Sequence, residues 1–469
     1  MVDLTRKIRE LYGLEKNPFP ITGSFPLDIE EERYASIFVM SEKVAKKIEY
    51  LLKLLESKDR TIPFFFIVGD YGYGKTHFLK YMQYYIHRNI AHAYALYVKR
   101  INDISPLSIY RALIDSIFRT LGRPLIASIF KKARKLDLNV RDKIERLFPD
   151  LSNLIDKFAE NDNLAFRWLI ADEMSVDMLR DLNVVQTIND ENAIYALVAL
   201  LKIIYYTIGM RIVFLIDELD ETLAGRSRKD IARFYDNMRQ IVDLSGPEVS
   251  FIMAVSPGIF TGTISIKELS PALFSRVSEL YIYLEKLSKD MLMELVKRYL
   301  REFRKPSVKR LYDPLFPFTE DAISKVHDIT GGVPRNALML LGKILDIGAM
   351  LNKRTIDMFF VSEVAEGKTT DVAPRETEDV KRIIQEAIEE ASLPTPRTLK
   401  DLREYLKERI INALRKASGG TLTLSALARV VKSPYDLVLE TCKTLHREGI
   451  VLLKRSSRGY RVYIRVTRI

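Results

Sequence analysis

A single cysteine, Cys442, stands in 469 residues. It has no internal partner, so a disulfide framework is excluded, and the absence of zinc-type cysteine and histidine spacing argues against a structural zinc. A reducing, cytoplasmic setting is the expectation. Glutamine is also scarce, confined to Gln83, Gln186, Gln240 and Gln385, while 29% of the chain is charged. That balance leans toward a thermophile. Nothing reaches the roughly 18 uncharged apolar residues of a membrane span. The longest candidate, Ala193 to Met210, is interrupted by Lys202 and reads as a buried helix leading into a core strand. Met1 to Glu10 is too charged for a secretory signal. Repeats and low-complexity tracts are lacking. Tryptophan occurs once, at Trp168, and a lone tryptophan reads as packing.

What is present supports large cores. Hydrophobic residues make up 47% of the chain, and the length suits roughly two to four domains. The net charge of +11 is uneven: 15 Lys/Arg against 6 Asp/Glu fall between Asp401 and Ile469, so that segment alone carries +9. A bias confined to one end suggests a module that meets a polyanion.

The most informative stretch is Gly69-Asp70-Tyr71-Gly72-Tyr73-Gly74-Lys75-Thr76, which fits G-x-x-x-x-G-K-S/T. The apolar run Phe64–Val68 enters it as a buried strand, and His77 to Ile86 leaves it with helical spacing. This setting distinguishes a phosphate-binding loop from a turn that merely links strand to helix. Glycines let successive N–H groups face one anion, and the helix N-terminus adds partial positive charge. Lys75 is placed to reach the β- and γ-phosphates and Thr76 to hold magnesium. His77, at the start of the helix, is grouped with the loop residues as a nucleotide contact. ATP and magnesium are the implied ligands.

A second apolar strand, Arg211–Ile216, runs into Asp217 and Glu218. Acids at the C-terminal end of a buried strand lie where parallel α/β sheets bind ligands. Asp217 suits the magnesium shell and Glu218 a general base for water; Asp220 and Glu221 follow as spares. Phosphoryl transfer rests on positioning and charge, so further polar groups are expected. Ser256 ends the strand Val249–Val255, where it contacts the γ-phosphate or serves as a turn serine before Pro257. Arg276 points into a neighbouring subunit's site or is solvated. Arg335 opens a helix after Gly331-Gly332-Val333-Pro334, within reach of bound phosphates. A cation there opposes the helix dipole, so a compensating anion is expected.

The remaining chain reads as follows. Residues 1–40 form an irregular lead with Asn17-Pro18-Phe19-Pro20. Ser41 caps a helix over Glu42–Ser57. Ala93–Val98 and Leu280–Leu284 are further strands, and helices fill about 105–205 as an insertion. Helices over about 288–304 and 319–330, with the one from Pro334, form a lid. The expected division is 1–286 for the α/β domain, 287–366 for the lid, 367–380 for a linker and 381–469 for the basic module.

In that module Leu402–Ala417, Leu424–Val431 and Pro434–Glu448 read as helices, with a hairpin over Ile450–Leu453 and Tyr460–Val466. This is a winged-helix pattern. Lys443 and Arg447 on the third helix, Lys432 before it, and Lys454, Arg455 and Arg458 on the wing are the candidate contacts to double-stranded DNA. A winged helix serving protein contacts is the alternative.

The order of these parts resembles the AAA+ ATPases, and within them the initiator-like clade of origin-recognition proteins. The resemblance makes Gly69–Thr76 the Walker A motif and Ile212–Glu218 Walker B. It makes Ser256 sensor 1, Arg276 an arginine finger acting in trans within a homo-oligomer, and Gly331–Arg335 sensor 2. The insertion, with Trp168-Leu169, Leu182-Asn183-Val184 and Ile188 to Glu191, is similar to ATP-binding proteins of BREX-type defence loci and their archaeal relatives. Asn17–Pro20 resembles a lead segment of transposition and secretion-linked members. The implied fold is a P-loop AAA+ parallel sheet with helical insertion and lid, plus a C-terminal winged helix. The implied activity is ATP hydrolysis coupled to DNA binding. A second reading is an ATP-dependent switch that recruits a protein partner through the insertion. A third is a signalling ATPase whose winged helix only packs on the core.

Overall fold

The computed structural model describes residues 4–20, 31–57, 64–258, 280–306, 309, 312–367, 399–417, 421–431, 435–448, 450–456 and 459–464. The chain divides into two units, Met1–Thr369 and Thr370–Ile469.

The first unit is built on a five-stranded sheet. Its strands are β1 (Phe64–Val68), β2 (Ala93–Val98), β3 (Arg211–Ile216), β4 (Val249–Val255) and β5 (Tyr281–Tyr283), in the order β2-β3-β4-β1-β5. Every pairing is parallel. Strands β1, β3 and β4 are buried at every position, which is why they read as unbroken apolar runs. Because β4 lies between β1 and β3, the loops that follow β1 and β3 open about 10 Å apart, with the end of β4 between them.

Each face of the sheet has its own core. On one, Ile48, Leu51 and Leu55 of the helix Glu42–Glu56 and Phe78, Leu79 and Met82 of Lys75–Asn89 pack on Phe65 and Ile67. The expected cap holds: the Ser41 side chain accepts from the Val44 amide. On the other face the insertion covers Phe64, Phe66 and Val68. Its first helix, Pro106–Ala133, breaks direction at Gly122, whose φ of 72 only glycine adopts readily. Trp168 is fully buried, stacks on Phe148 and donates its indole N–H to the Gln186 carbonyl. Lys202, which interrupts the apolar helix Ala193–Ile208, meets the buried Glu248 at 3.1 Å.

The helices expected as a lid, Lys289–Phe303, Glu320–Thr330, Pro334–Met350 and Met358–Ala365, share a core of their own. The lead differs from the irregular segment expected. It contains the helices Leu4–Tyr12 and Glu31–Ser36, and Ile8, Tyr12, Phe19, Tyr34 and Ile37 belong to the lid's own core. Asn17 explains the polar start of its motif. Its amide donates to Gly342 O at 2.9 Å and to Asp346 Oδ1 at 2.8 Å. Gly348 lies against this segment: a Cβ there would be 2.9 Å from the Tyr12 hydroxyl, which would have to shift.

The second unit has the helices Leu399–Lys416, Leu424–Val430 and Tyr435–Arg447 and the hairpin β7 (Val451–Ser456) and β8 (Gly459–Ile464). A short strand not anticipated from the sequence, β6 (Thr421–Thr423), pairs with β8 to give the order β6-β8-β7. Ile410, Leu414, Leu427, Val438, Cys442 and Leu445 form its core. Burial pushes the Cys442 thiol up to about 12, so this cysteine is a packing residue.

Candidate nucleotide site

The loop after β1 turns on two glycines in the left-handed region, Gly72 at φ 83 and Gly74 at φ 88. Gly74 has open space around it, so its backbone conformation alone demands glycine; Gly72 also lies close to the lid, where a Cβ would be 3.3 Å from Arg335 Cβ and Val333 Cγ1. Gly74 is the N-cap of Lys75–Asn89, leaving the first amides of that helix without intrahelical acceptors.

Lys75 donates to the Gly69 carbonyl at 2.7 Å and approaches the Asp70 carbonyl at 3.4 Å. Its ammonium also lies 3.7 Å from Asp220 Oδ2. Asp217 is buried and held on both carboxylate oxygens: Oδ2 accepts from the Tyr97 hydroxyl at 2.8 Å and Oδ1 from the Glu218 amide at 2.9 Å. Glu218 follows with φ 49, a conformation a non-glycine residue adopts only when its surroundings enforce it. Burial, and then Glu221, raise its carboxyl above the usual glutamate range. Glu221 itself pairs with Arg100 at 2.7 Å. The Ser256 amide, at the end of β4, donates to Asp220 Oδ1 at 2.8 Å.

From the lid, Arg335 stacks on the Tyr71 ring at 4.8 Å and donates to its hydroxyl at 2.5 Å. Its amide donates to Gly72 O at 3.2 Å. The contacts of this cation at the helix start include an aromatic face and a phenol oxygen. Gly332 sets the approach: its φ is 72, its carbonyl accepts from the Leu287 amide, and a Cβ would overlap the Leu287 carbonyl. Beside Tyr73 and Gly74 lies an open cleft lined by Val39, Met40, Val44, Met291, Pro334 and Leu338 among others.

The structure therefore brings Gly69 to Thr76, Asp217, Glu218, Ser256 and Arg335 to one end of the sheet. The His77 side chain lines the cleft beside Gly74. It is buried, contacts the Tyr34 carbonyl at 3.0 Å, and meets Phe38 edge-on, which leaves its backbone amide for the loop. Arg276 lies outside the described residues. In the second unit Lys443 is half-buried, and Arg447 and Lys454 are exposed, Lys454 lying 5.7 Å from the Tyr463 ring. Lys432, Arg458 and the side chain of Arg455 lie outside what the structure describes.

Two residues of the site were not singled out from the sequence. Asp220 stood as a spare acid, and its place beside Lys75 and Ser256 follows from the short helix Leu219–Leu223 that starts after Glu218. Tyr97 carried no signal, because only the β2-β3 pairing brings it beside Asp217. As for magnesium, no group of three histidines, cysteines or acids converges among the described residues. A single hydroxyl at Thr76 and a carboxylate at Asp217 fit an ion that arrives on phosphates and keeps its waters.

Residues 41–289 match the KAP family P-loop domain. An uncharacterized HTH-type transcriptional regulator of Methanocaldococcus jannaschii is 25% identical over 256 residues, 55% of this chain and 53% of that protein. The chain thus spans about half the length of that relative. Among solved structures, the ORC2 protein of Aeropyrum pernix in its ADP form aligns at 13% identity and a TM-score of 0.41, covering 94% of this chain and 91% of that one. The RuvB Holliday junction branch migration motor of Thermotoga maritima aligns at 15% and 0.34, covering 92% and 93%. AMPPCP-bound DnaA from Aquifex aeolicus aligns at 14% and 0.33, covering 90% and 93%.

Proposed function

This chain belongs to the KAP family of P-loop domains, and from that premise we propose that it is a magnesium-dependent AAA+ ATP hydrolase whose nucleotide state governs its grip on double-stranded DNA. The reading is supported above all by one arrangement: Lys75, Asp217 and Glu218 share an end of the sheet, and Arg335 of the lid is bonded to the same glycine loop.

The division of labour follows from the chemistry of each group. The amides of Gly72 to His77 cradle phosphate oxygens, and Lys75 exchanges the Gly69 carbonyl for the β- and γ-phosphates. Thr76 and Asp217 would hold magnesium, which when bound neutralises phosphate charge. Glu218, buried enough to raise its proton affinity, takes a proton from the attacking water. Ser256 lies between the two loops and Arg335 offsets charge from the lid side. The apolar cleft beside Gly74 takes the base. Arg276 is proposed to complete the site of a neighbouring copy in a homo-oligomer.

DNA binding rests on the +9 of residues 401–469 and on Arg447 and Lys454, exposed on the last helix and the hairpin. The relative's designation as an HTH-type regulator agrees with it. A winged helix at 381–469, joined through 367–380, is the form proposed. A partner-recruiting switch is the second reading, favoured by exposed aliphatic side chains on the insertion: Leu138, Val176 and Val185 are 81%, 64% and 87% exposed.

The test compares Glu218→Gln with Lys75→Ala. The first should bind ATP and fail to turn it over, the second should lose binding, and duplex DNA should change wild-type turnover. Wild-type protein that neither retains nor hydrolyses ATP with magnesium present would overturn the assignment.

A further inference from the structure

Asp220 bonds to two parts of the site at once. Its Oδ2 faces the Lys75 ammonium at 3.7 Å, and its Oδ1 accepts the Ser256 amide at 2.8 Å. Both side chains of the ion pair are largely enclosed, 15% exposed for Lys75 and 32% for Asp220. The carboxylate therefore joins the loop after β1 to the end of β4, and it starts from the short helix Leu219–Leu223 that follows β3. Three loops from three strands meet on one side chain.

The two oxygens have different consequences. The negative charge on Oδ2 competes with phosphate oxygens for Lys75, because a cation already facing a carboxylate gives up that attraction when it turns to a phosphate. It also adds a like charge beside any triphosphate. The bond to the Ser256 amide needs only an acceptor, and it fixes the strand end lying between Lys75 and Glu218. The buried hydroxyl of Tyr235 feels the same charge, which holds its proton more tightly beyond the effect of burial.

Resting on the ATPase reading above, we propose that Asp220 is a positioning residue with two separable effects. Its charge restrains nucleotide affinity by engaging Lys75, and its acceptor oxygen sets Ser256 for turnover. Lys75 is thereby kept at the mouth of the loop with a partner it can leave, and the Ser256 backbone is kept beside the acids that follow β3.

Asparagine and alanine separate the two effects in the full chain. Asp220→Asn removes the charge and keeps an acceptor for the Ser256 amide, whereas Asp220→Ala removes both. Each variant should bind the nonhydrolysable β,γ-methylene analogue of ATP about fivefold more tightly than wild type, the scale of a partly exposed ion pair. At saturating ATP, Asp220→Ala should turn over at least about tenfold more slowly than Asp220→Asn, the scale of a misplaced reacting group. Thermal melting of both variants separates this from loss of fold, and a melted alanine form is replaced by Asp220→Ser, whose hydroxyl is too short to reach either partner. Equal turnover in the asparagine and alanine forms, or unchanged or weaker analogue binding in both, would overturn the proposal. Failure of the wild type itself to hydrolyse ATP would instead overturn the ATPase reading.

Discussion

Tyr97 donates its hydroxyl to Oδ2 of Asp217 at 2.8 Å, and the buried Lys80 ammonium lies 3.4 Å from the centre of the same ring. The bond crosses from β2 to the end of β3. It fixes the carboxylate proposed to hold magnesium through the oxygen that does not accept the Glu218 amide. An acceptor held on both oxygens cannot rotate freely, so its geometry is set before an ion arrives. Tyr97→Phe keeps the ring under Lys80 and removes only the donor. The magnesium concentration for half-maximal turnover should then rise about tenfold, as for loss of a hydrogen bond to a charged group. An unchanged magnesium dependence would show that Asp217 is held without Tyr97.

The lid touches the phosphate loop through Arg335, whose guanidinium lies over Tyr71 and whose amide bonds Gly72. A planar cation stacked on a ring is not interchangeable with an ammonium. Arg335→Lys should therefore lower turnover by about a hundredfold, the usual scale for one preorganised charge-stabilising group. Nucleotide binding should weaken far less, because Lys75 and the loop amides remain. Stopped-flow binding alongside steady-state turnover reads both quantities. Equal loss of binding and turnover would assign Arg335 to ground-state binding.

Much of this was legible in the sequence, for physical reasons that can be named. Strands β1, β3 and β4 are buried on both faces, so they had to be continuous apolar runs, and their boundaries follow from composition alone. Lys75 and Glu218 were legible because the loop chemistry permits few residue types. The lead was not. Tyr12, Phe19 and Tyr34 pack on lid residues some 300 positions away, and short helices fixed by distant contacts leave little periodicity to read. Tyr97 and Asp220 were missed for a related reason: their roles arise from strand order, and the placing of β4 between β1 and β3 is not written in any local motif. The third helix of the second unit was legible from Pro434 at its start and Gly449 at its end, and the hairpin from its alternation, whereas β6, three residues long, was too short to signal itself.

Acid should expose the cost of burying His77. Burial lowers its pKa from 6.5 to about 4, against the Tyr34 carbonyl, which favours the cation. The folded state thus prefers the neutral ring, while the unfolded chain takes up a proton near the ordinary value. The stability from neutral His77 is complete above about pH 6.5 and is lost as pH falls toward 4, roughly 3 kcal/mol in all. Asp346, pushed up to about 6 by burial, acts with the opposite sign over much of this window. Comparison with His77→Gln cancels Asp346, which both proteins carry. Wild type should gain roughly 3 kcal/mol on the variant between pH 4 and pH 7 in urea unfolding. A constant difference across that range would mean that His77 titrates normally in the folded protein.

The basic unit offers the sharpest electrostatic test. Arg447 ends the helix Tyr435–Arg447 and Lys454 lies on β7, both exposed, whereas the neighbouring acid Glu448 is tied to Lys407 at 2.6 Å. That pairing withdraws one negative charge from the end of the helix and leaves Arg447 to dominate it. If these side chains neutralise phosphates, each releases a condensed counterion on binding. Log affinity for duplex DNA should fall linearly with log salt, and Arg447→Ala or Lys454→Ala should each flatten the slope by about 0.9. The losses should be nearly the same for unrelated duplexes, because phosphate contacts carry no sequence information. Arg335→Lys, in the lid of the first unit, serves as the control and should leave the salt slope at its wild-type value. A wild-type slope near zero would mean that the +9 of this unit serves something other than DNA, and the partner-recruiting reading would take its place.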